Sequence, residues 1–75
     1  MMDKRPLDAL NKSKGKNVYV ILKNGREITG KLQALDIHLN MWLEDAEITF
    51  EDKKTTFGDL LVRGDSVVIA SPSNQ

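Results

Sequence analysis

The sequence predicts a mainly β protein: a short N-terminal helix, then five short strands joined by tight turns, in a sheet bent enough to curl into a small barrel. Three observations carry this. After Gly15 the chain turns β-branched and aromatic; apolar and polar residues alternate along the central run; and glycines fall inside strands, at Gly30 and Gly58, where a sheet can bend sharply.

The elements follow in order. Residues 6–13 read as a helix: Pro6 suits a first turn, Leu7 and Leu10 share one face, Asp8 lies early and Lys12 late, and Gly15 can end the element. So short a helix is not stable alone, so Leu7 and Leu10 must dock on the sheet. "NVYVILK" is the first strand, apolar on both faces, and Asn24-Gly25 signals a hairpin. "REITGKLQALD" alternates, with Ile28, Leu32 and Ala34 on one face and Thr29, Lys31 and Gln33 on the other. "LNMWLEDAEITF" is the third strand, "EDKKT" a polar turn, "FGDLLV" a fourth strand broken by Gly58, "RGD" a tight connection and "SVVIA" the fifth strand. Pro72 and the polar tail end the order.

Seventy-five residues make one domain, residues 1–75, which buries only about 60% of the surface its unfolded chain exposes. Chains this small usually need a staple. Without cysteine there is no disulfide, and one histidine cannot build a zinc site of the usual kind, so partner subunits remain. "LLV" and "VVIA" are uncharged apolar strands separated only by "RGD", and each could pair with a neighbouring copy. Repeated head to tail, that contact gives a closed ring or an open fibre. With no apolar leader and no membrane-length run, the expectation is a soluble, cytoplasmic protein.

Net charge is zero, which argues against nonspecific coating of nucleic acid, yet the charge is segregated. Lys4, Arg5, Lys12, Lys14 and Lys16 crowd the N-terminus, and residues 44–59 are acidic; solvated surface accounts for most of these.

Chemistry is sparse. Asp36 and His38, two apart, would share a face of a strand, but no nucleophile has a suitable context and no phosphate-binding glycine loop exists. A small hydrolase using that pair is therefore rejected, and no cofactor is implied. Singly, His38, Asn40, Arg63 and Asp65 read as polar loop or turn residues. Together they make a different pattern: a flat ring, an amide, a planar cation and a carboxylate, all at strand ends. One unstacked base needs that set, with ring and guanidinium for stacking and amide for edge readout.

The chain resembles the Sm and Sm-like (LSm) RNA-binding family, most closely its archaeal members. The first Sm motif is "VYVILKNGREITGKLQALDIHLNMWLEDA", residues 18–46, with the Asn-Gly turn, Gly30, Asp36 and Asn40; the second is "LLVRGDSVVIA", residues 60–70. The resemblance implies a strongly bent five-stranded antiparallel sheet behind a helix. It implies rings, usually of seven subunits with six left open, formed by pairing the fourth strand of one copy with the fifth of the next. It implies no enzymatic activity. The ligand would be single-stranded U-rich RNA at the pore, bound by Asp36, His38, Asn40, Arg63, Gly64 and Asp65. His38 and Arg63 would sandwich the base, Asn40 would read its edge, and Asp65 would orient Asn40 and Arg63. The role would be RNA chaperone or ribonucleoprotein scaffold, with other RNA-processing proteins as further partners. A ring that displays its surface to proteins without binding RNA is the alternative. Two residues depart from the family. Trp42 replaces a smaller aliphatic residue; it shares strand parity with Asn40 and Glu44, which would leave it partly exposed, and it reads as core or interface packing in preference to base stacking. Ser66 replaces a common asparagine, with little effect expected on binding.

Overall fold

The computed structural model describes residues 6–72, and the element order is α1 (Pro6–Asn11), β1 (Asn17–Leu22), β2 (Glu27–Leu35), β3 (Met41–Phe50), β4 (Lys53–Val62), a single 3-10 turn (Gly64–Ser66) and β5 (Val67–Pro72). The five strands form one antiparallel sheet in the order β4-β3-β2-β1-β5. The two strands read as sticky from sequence, β4 and β5, are therefore its two edges and do not pair with each other.

The core follows the pleat. On β2, Ile28, Gly30 and Leu32 point inward and Glu27, Thr29 and Lys31 outward. Val18 and Val20 from β1, Met41, Leu43 and Ala46 from β3, and Val62 from β4 complete the buried cluster. α1 packs beside β5 and buries Leu10. The helix ends at Asn11, two residues before the expected boundary, because Ser13 N–H turns back to the Leu10 carbonyl and Ser13 is itself buried. Gly15, at φ 80°, then donates to the Leu32 carbonyl and ties the segment to β2. The side chain of Leu7 lies outside the described residues, as do Lys4 and Arg5.

The bend has a specific origin. Thr29 pairs with Glu47 but Lys31 with Glu44, so Gly30 faces two residues of β3, and Asp45 is the extra one, at φ 52°. This β-bulge turns the strand and keeps Leu43 and Ala46, three apart, on the same inner face. Gly30 is required there: a Cβ would sit 3.1 Å from the Leu43 Cβ and 3.2 Å from the Ala46 Cα.

One local expectation holds and two change. Asn24-Gly25 makes the expected hairpin, through a three-residue loop. Gly25 N–H bonds to the Leu22 carbonyl and Leu22 N–H to that of Arg26, so the loop is Lys23–Asn24–Gly25 with Gly25 at φ 88°. Residues 51–55 are not all turn. Phe50 pairs with Lys53, leaving Glu51-Asp52 as a two-residue loop with both φ positive, and residues 53–56 belong to β4. Their polarity reflects an edge strand in water, where charge discourages unwanted pairing. β4 also runs unbroken through Gly58, in constant register with β3.

Candidate nucleic-acid interface

The β3–β4 register places Met41 opposite Val62. The residues just before Met41 and just after Val62 are therefore brought side by side at one end of the sheet. These are the loop 36–40 and the turn 63–66, the two segments that carry every candidate site residue.

Loop 36–40 is built around one carboxylate. Asp36 Oδ1 accepts from the backbone N–H of His38 at 2.9 Å and of Asn40 at 3.1 Å. The first of these is an Asx turn, the conformation for which aspartate is favoured at loop starts. The backbone closes it: Asp36 N–H bonds to the Asn40 carbonyl and Leu39 N–H to that of Asp36, with Leu39 at φ 63°. Asp36 and His38 therefore share a turn, not a strand face, and β3 starts at Met41 instead of Leu39.

Asn40 is the junction. Its Nδ2 donates to Asp36 Oδ2 at 3.0 Å, and its Oδ1 accepts from the Gly64 N–H at 2.7 Å. A carboxylate can only accept and a backbone N–H can only donate, so these partners assign the amide oxygen and nitrogen without ambiguity. Gly64 must be glycine to reach this position. A Cβ there would overlap the His38 carbonyl oxygen and lie 2.8 Å from the carbonyl carbon.

Asp65 does not do what the sequence led us to expect. It accepts from Arg63 Nη2 at 3.5 Å and from Ser66 Oγ at 3.5 Å and makes no hydrogen bond with Asn40. The carboxylate that orients the amide is Asp36, four residues before it, and the spacing Asp-x-x-x-Asn across a loop was the available signal. The half of that expectation concerning Arg63 matches the observed pair, although both side chains are largely in water.

His38, Asn40, Arg63, Gly64 and Asp65 line one open hollow of about 460 Å³. Asp36 supports it through Asn40. His38 and Arg63 are exposed, with a ring and a guanidinium available for stacking, whereas Asn40 is half-buried and fixed. Among the described residues no group of acidic and histidine side chains is placed to hold a metal ion, and no helix is long and apolar enough to cross a membrane.

The hydrogen bonds hold the Asp36 carboxyl below its ordinary value of 3.8. The Asn40 amide is the main cause; the backbone N–H groups of Asn40 and His38 and the charge of His38 add to it, and desolvation opposes them. A lowered native pKa means that the loop's contribution is complete above the ordinary value and is lost as pH falls through the lower one. In an acid titration followed by NMR, the His38 and Asn40 backbone amides and the Asn40 side-chain amide should shift together, at a midpoint below that of an unstructured aspartate.

A five-stranded sheet bent at Gly30, with its β2–β3 loop locked to its β4–β5 turn, defines a recognised class. Residues 8–72 match the family model described as the LSM domain, and the chain belongs to that family. Its relatives are archaeal Sm-like proteins. An snRNP Sm-like protein of Thermococcus sibiricus is 47% identical over 72 residues, 95% of each chain. An Sm protein of Pyrococcus abyssii, solved in complex with a uridine heptamer, has a TM-score of 0.88 at 44% identity, covering 93% of this chain and 100% of that one. The P. aerophilum SmAP1 heptamer has a TM-score of 0.90 at 35% identity, covering 99% and 100%.

Proposed function

We propose that this protein assembles into a closed ring and binds single-stranded U-rich RNA at the hollow between loop 36–40 and turn 63–66. It acts there as an RNA chaperone or ribonucleoprotein scaffold and catalyses nothing. The relatives solved as a heptamer and with a uridine heptamer support this reading.

The observation that carries it is the fixed amide of Asn40. After its bonds to Asp36 and Gly64, Asn40 keeps one Nδ2 hydrogen and one Oδ1 lone pair. Uracil presents a donor at N3 and an acceptor at O4, which match them. Cytosine presents the reverse and would require the amide to flip. The flip would set Nδ2 against the Gly64 N–H and Oδ1 against the Asp36 carboxylate, two repulsions in place of two hydrogen bonds. Bidentate edge contacts of this kind discriminate by about 1–3 kcal/mol in duplex DNA, and the same order applies here.

His38 and Arg63 supply the stacking planes. His38→Ala and Arg63→Ala should each weaken oligouridine binding by roughly 1–3 kcal/mol with the ring intact. Arg63→Lys should also weaken it, because an ammonium has no plane. Binding of labelled oligouridine and oligocytidine at two salt concentrations tests the reading. Equal affinity for both, or affinity unchanged in His38→Ala, contradicts it; no affinity for either would leave a protein-interaction ring.

A further inference from the structure

Trp42 is the only tryptophan of the chain, and it stands 43% exposed on the outer face of β3. Its position relative to the hollow is fixed by register. Trp42 pairs with Leu61 and Glu44 with Asp59. Side chains alternate along a strand, so Trp42 and Glu44 share one face with Leu61 and Asp59, and Asn40, in the loop that leads into β3, precedes Trp42 by two residues. The residue that reads the base is thus followed two residues later, at most about 7 Å along the chain, by the rung of Trp42 and Leu61. That step is comparable with the distance between successive bases of an extended single strand. Leu61 is 79% exposed in the single subunit and, on the edge strand, stands between Trp42 and the neighbouring copy of the proposed ring.

The indole is also anchored. Its Nε1 donates to Asp59 Oδ1 at 3.0 Å across the hairpin. With its one polar group engaged, the side chain has only its ring to offer, on a fixed platform. We infer that Trp42 forms a second nucleotide subsite, on which the base adjacent to the one read by Asn40 stacks without selection for its identity. The inference rests on the proposed function and extends it from one nucleotide per subunit to two. A neighbouring subunit is the less suitable occupant. A strand added at the open edge of β4 would lie two strand spacings from β3, about 9.6 Å, with Leu61 between it and Trp42.

The test compares uridine monophosphate with the dinucleotides UpU, UpC and CpU on the intact ring, by calorimetry and by the emission of the single tryptophan. UpU should bind about tenfold more tightly than the mononucleotide, the order expected for one stacked base. Either UpC or CpU should match UpU, because the second base is only stacked. UpU should quench the tryptophan more than the mononucleotide does. In Trp42→Ala the dinucleotide advantage should fall to about twofold or less, and Trp42→Phe should restore most of it. An undiminished advantage in Trp42→Ala overturns this inference and leaves the proposed function standing, whereas binding of neither ligand by the wild-type ring overturns both. If Trp42→Ala dissociates, wild-type emission decides: no quenching by UpU beyond that of the mononucleotide overturns the subsite.

Discussion

Gly64→Ala should reduce oligouridine affinity on the order of a hundredfold while leaving the sheet folded. The added Cβ would meet the His38 carbonyl and, at 2.9 Å, the Leu39 carbonyl carbon. These are backbone atoms of a turn already closed by the Asp36 and Leu39 hydrogen bonds, so they cannot yield as a flexible side chain would. The two segments must move apart, and the 2.7 Å bond from Gly64 N–H to Asn40 is lost with them. Stacking and edge readout then fail together, at about 1–3 kcal/mol each. Gly58→Ala is the matched control. It makes the same chemical change on β4, where a Cβ would meet nothing within 4 Å and φ is not positive, and its affinity should stay within about twofold of wild type. Fluorescence anisotropy with a labelled oligouridine reads both variants, and circular dichroism reports the sheet.

Val68→Asp should split the assembly. In the proposed ring, β4 of one subunit pairs with β5 of the next, and the exposed apolar residues at those edges, Leu61 on one and Val68 and Ile69 on the other, come together. In a single subunit Val68 is 60% exposed, so an aspartate there costs the isolated fold little. At a closed interface the carboxylate loses water without gaining a partner, which costs several kcal/mol per contact. Symmetry repeats the cost at every interface. Light scattering of the wild type should give about seven times the 8.4 kDa subunit, and Val68→Asp should give a mass near one subunit.

The element order along the chain and the inward positions of Ile28 and Leu32 were legible in the sequence because they depend on local pattern. The position of Ala34, expected on the same face, was not: a second register shift after Leu32 sets it opposite Trp42 on the outer face and packs Leu35 on the core. Ile28 and Leu32 alternate with charged neighbours, and Gly30 interrupts them at the bend. The β3 bulge left a trace that is easy to overlook: the apolar positions shift from odd at Met41 and Leu43 to even at Ala46 and Ile48. Residues 53–56 misled because an edge strand in water and a loop have the same polarity.

The candidate site was legible as a set of residues but not as a network. Loop chemistry picks out Asp36, His38, Asn40, Arg63, Gly64 and Asp65, and all except Asp36 line one hollow. Which carboxylate serves the amide depends on where two segments, more than twenty residues apart, meet in space. Asp65 is adjacent to Gly64 in sequence, yet its side chain is turned to Arg63, while Asp36 faces Asn40 within its own loop. Parity with Glu44 puts Trp42 on the exposed face, as observed, but its anchor, Asp59, lies on another strand and could not be read from the sequence.

The most direct test of the central claim, that Asp36 and Gly64 fix the Asn40 amide so as to select uracil, is competition between oligouridine and oligocytidine on rings of wild type, Asp36→Asn and Asp65→Asn. An asparagine at 36 brings a donor to the loop and removes one of the two contacts that hold the Asn40 amide, so the ratio of the two affinities should fall, with the Gly64 N–H alone still favouring the uracil orientation. At position 65 the same change leaves both partners of Asn40 in place, and the ratio should stay near that of wild type. A ratio preserved in Asp36→Asn and lost in Asp65→Asn would contradict the claim.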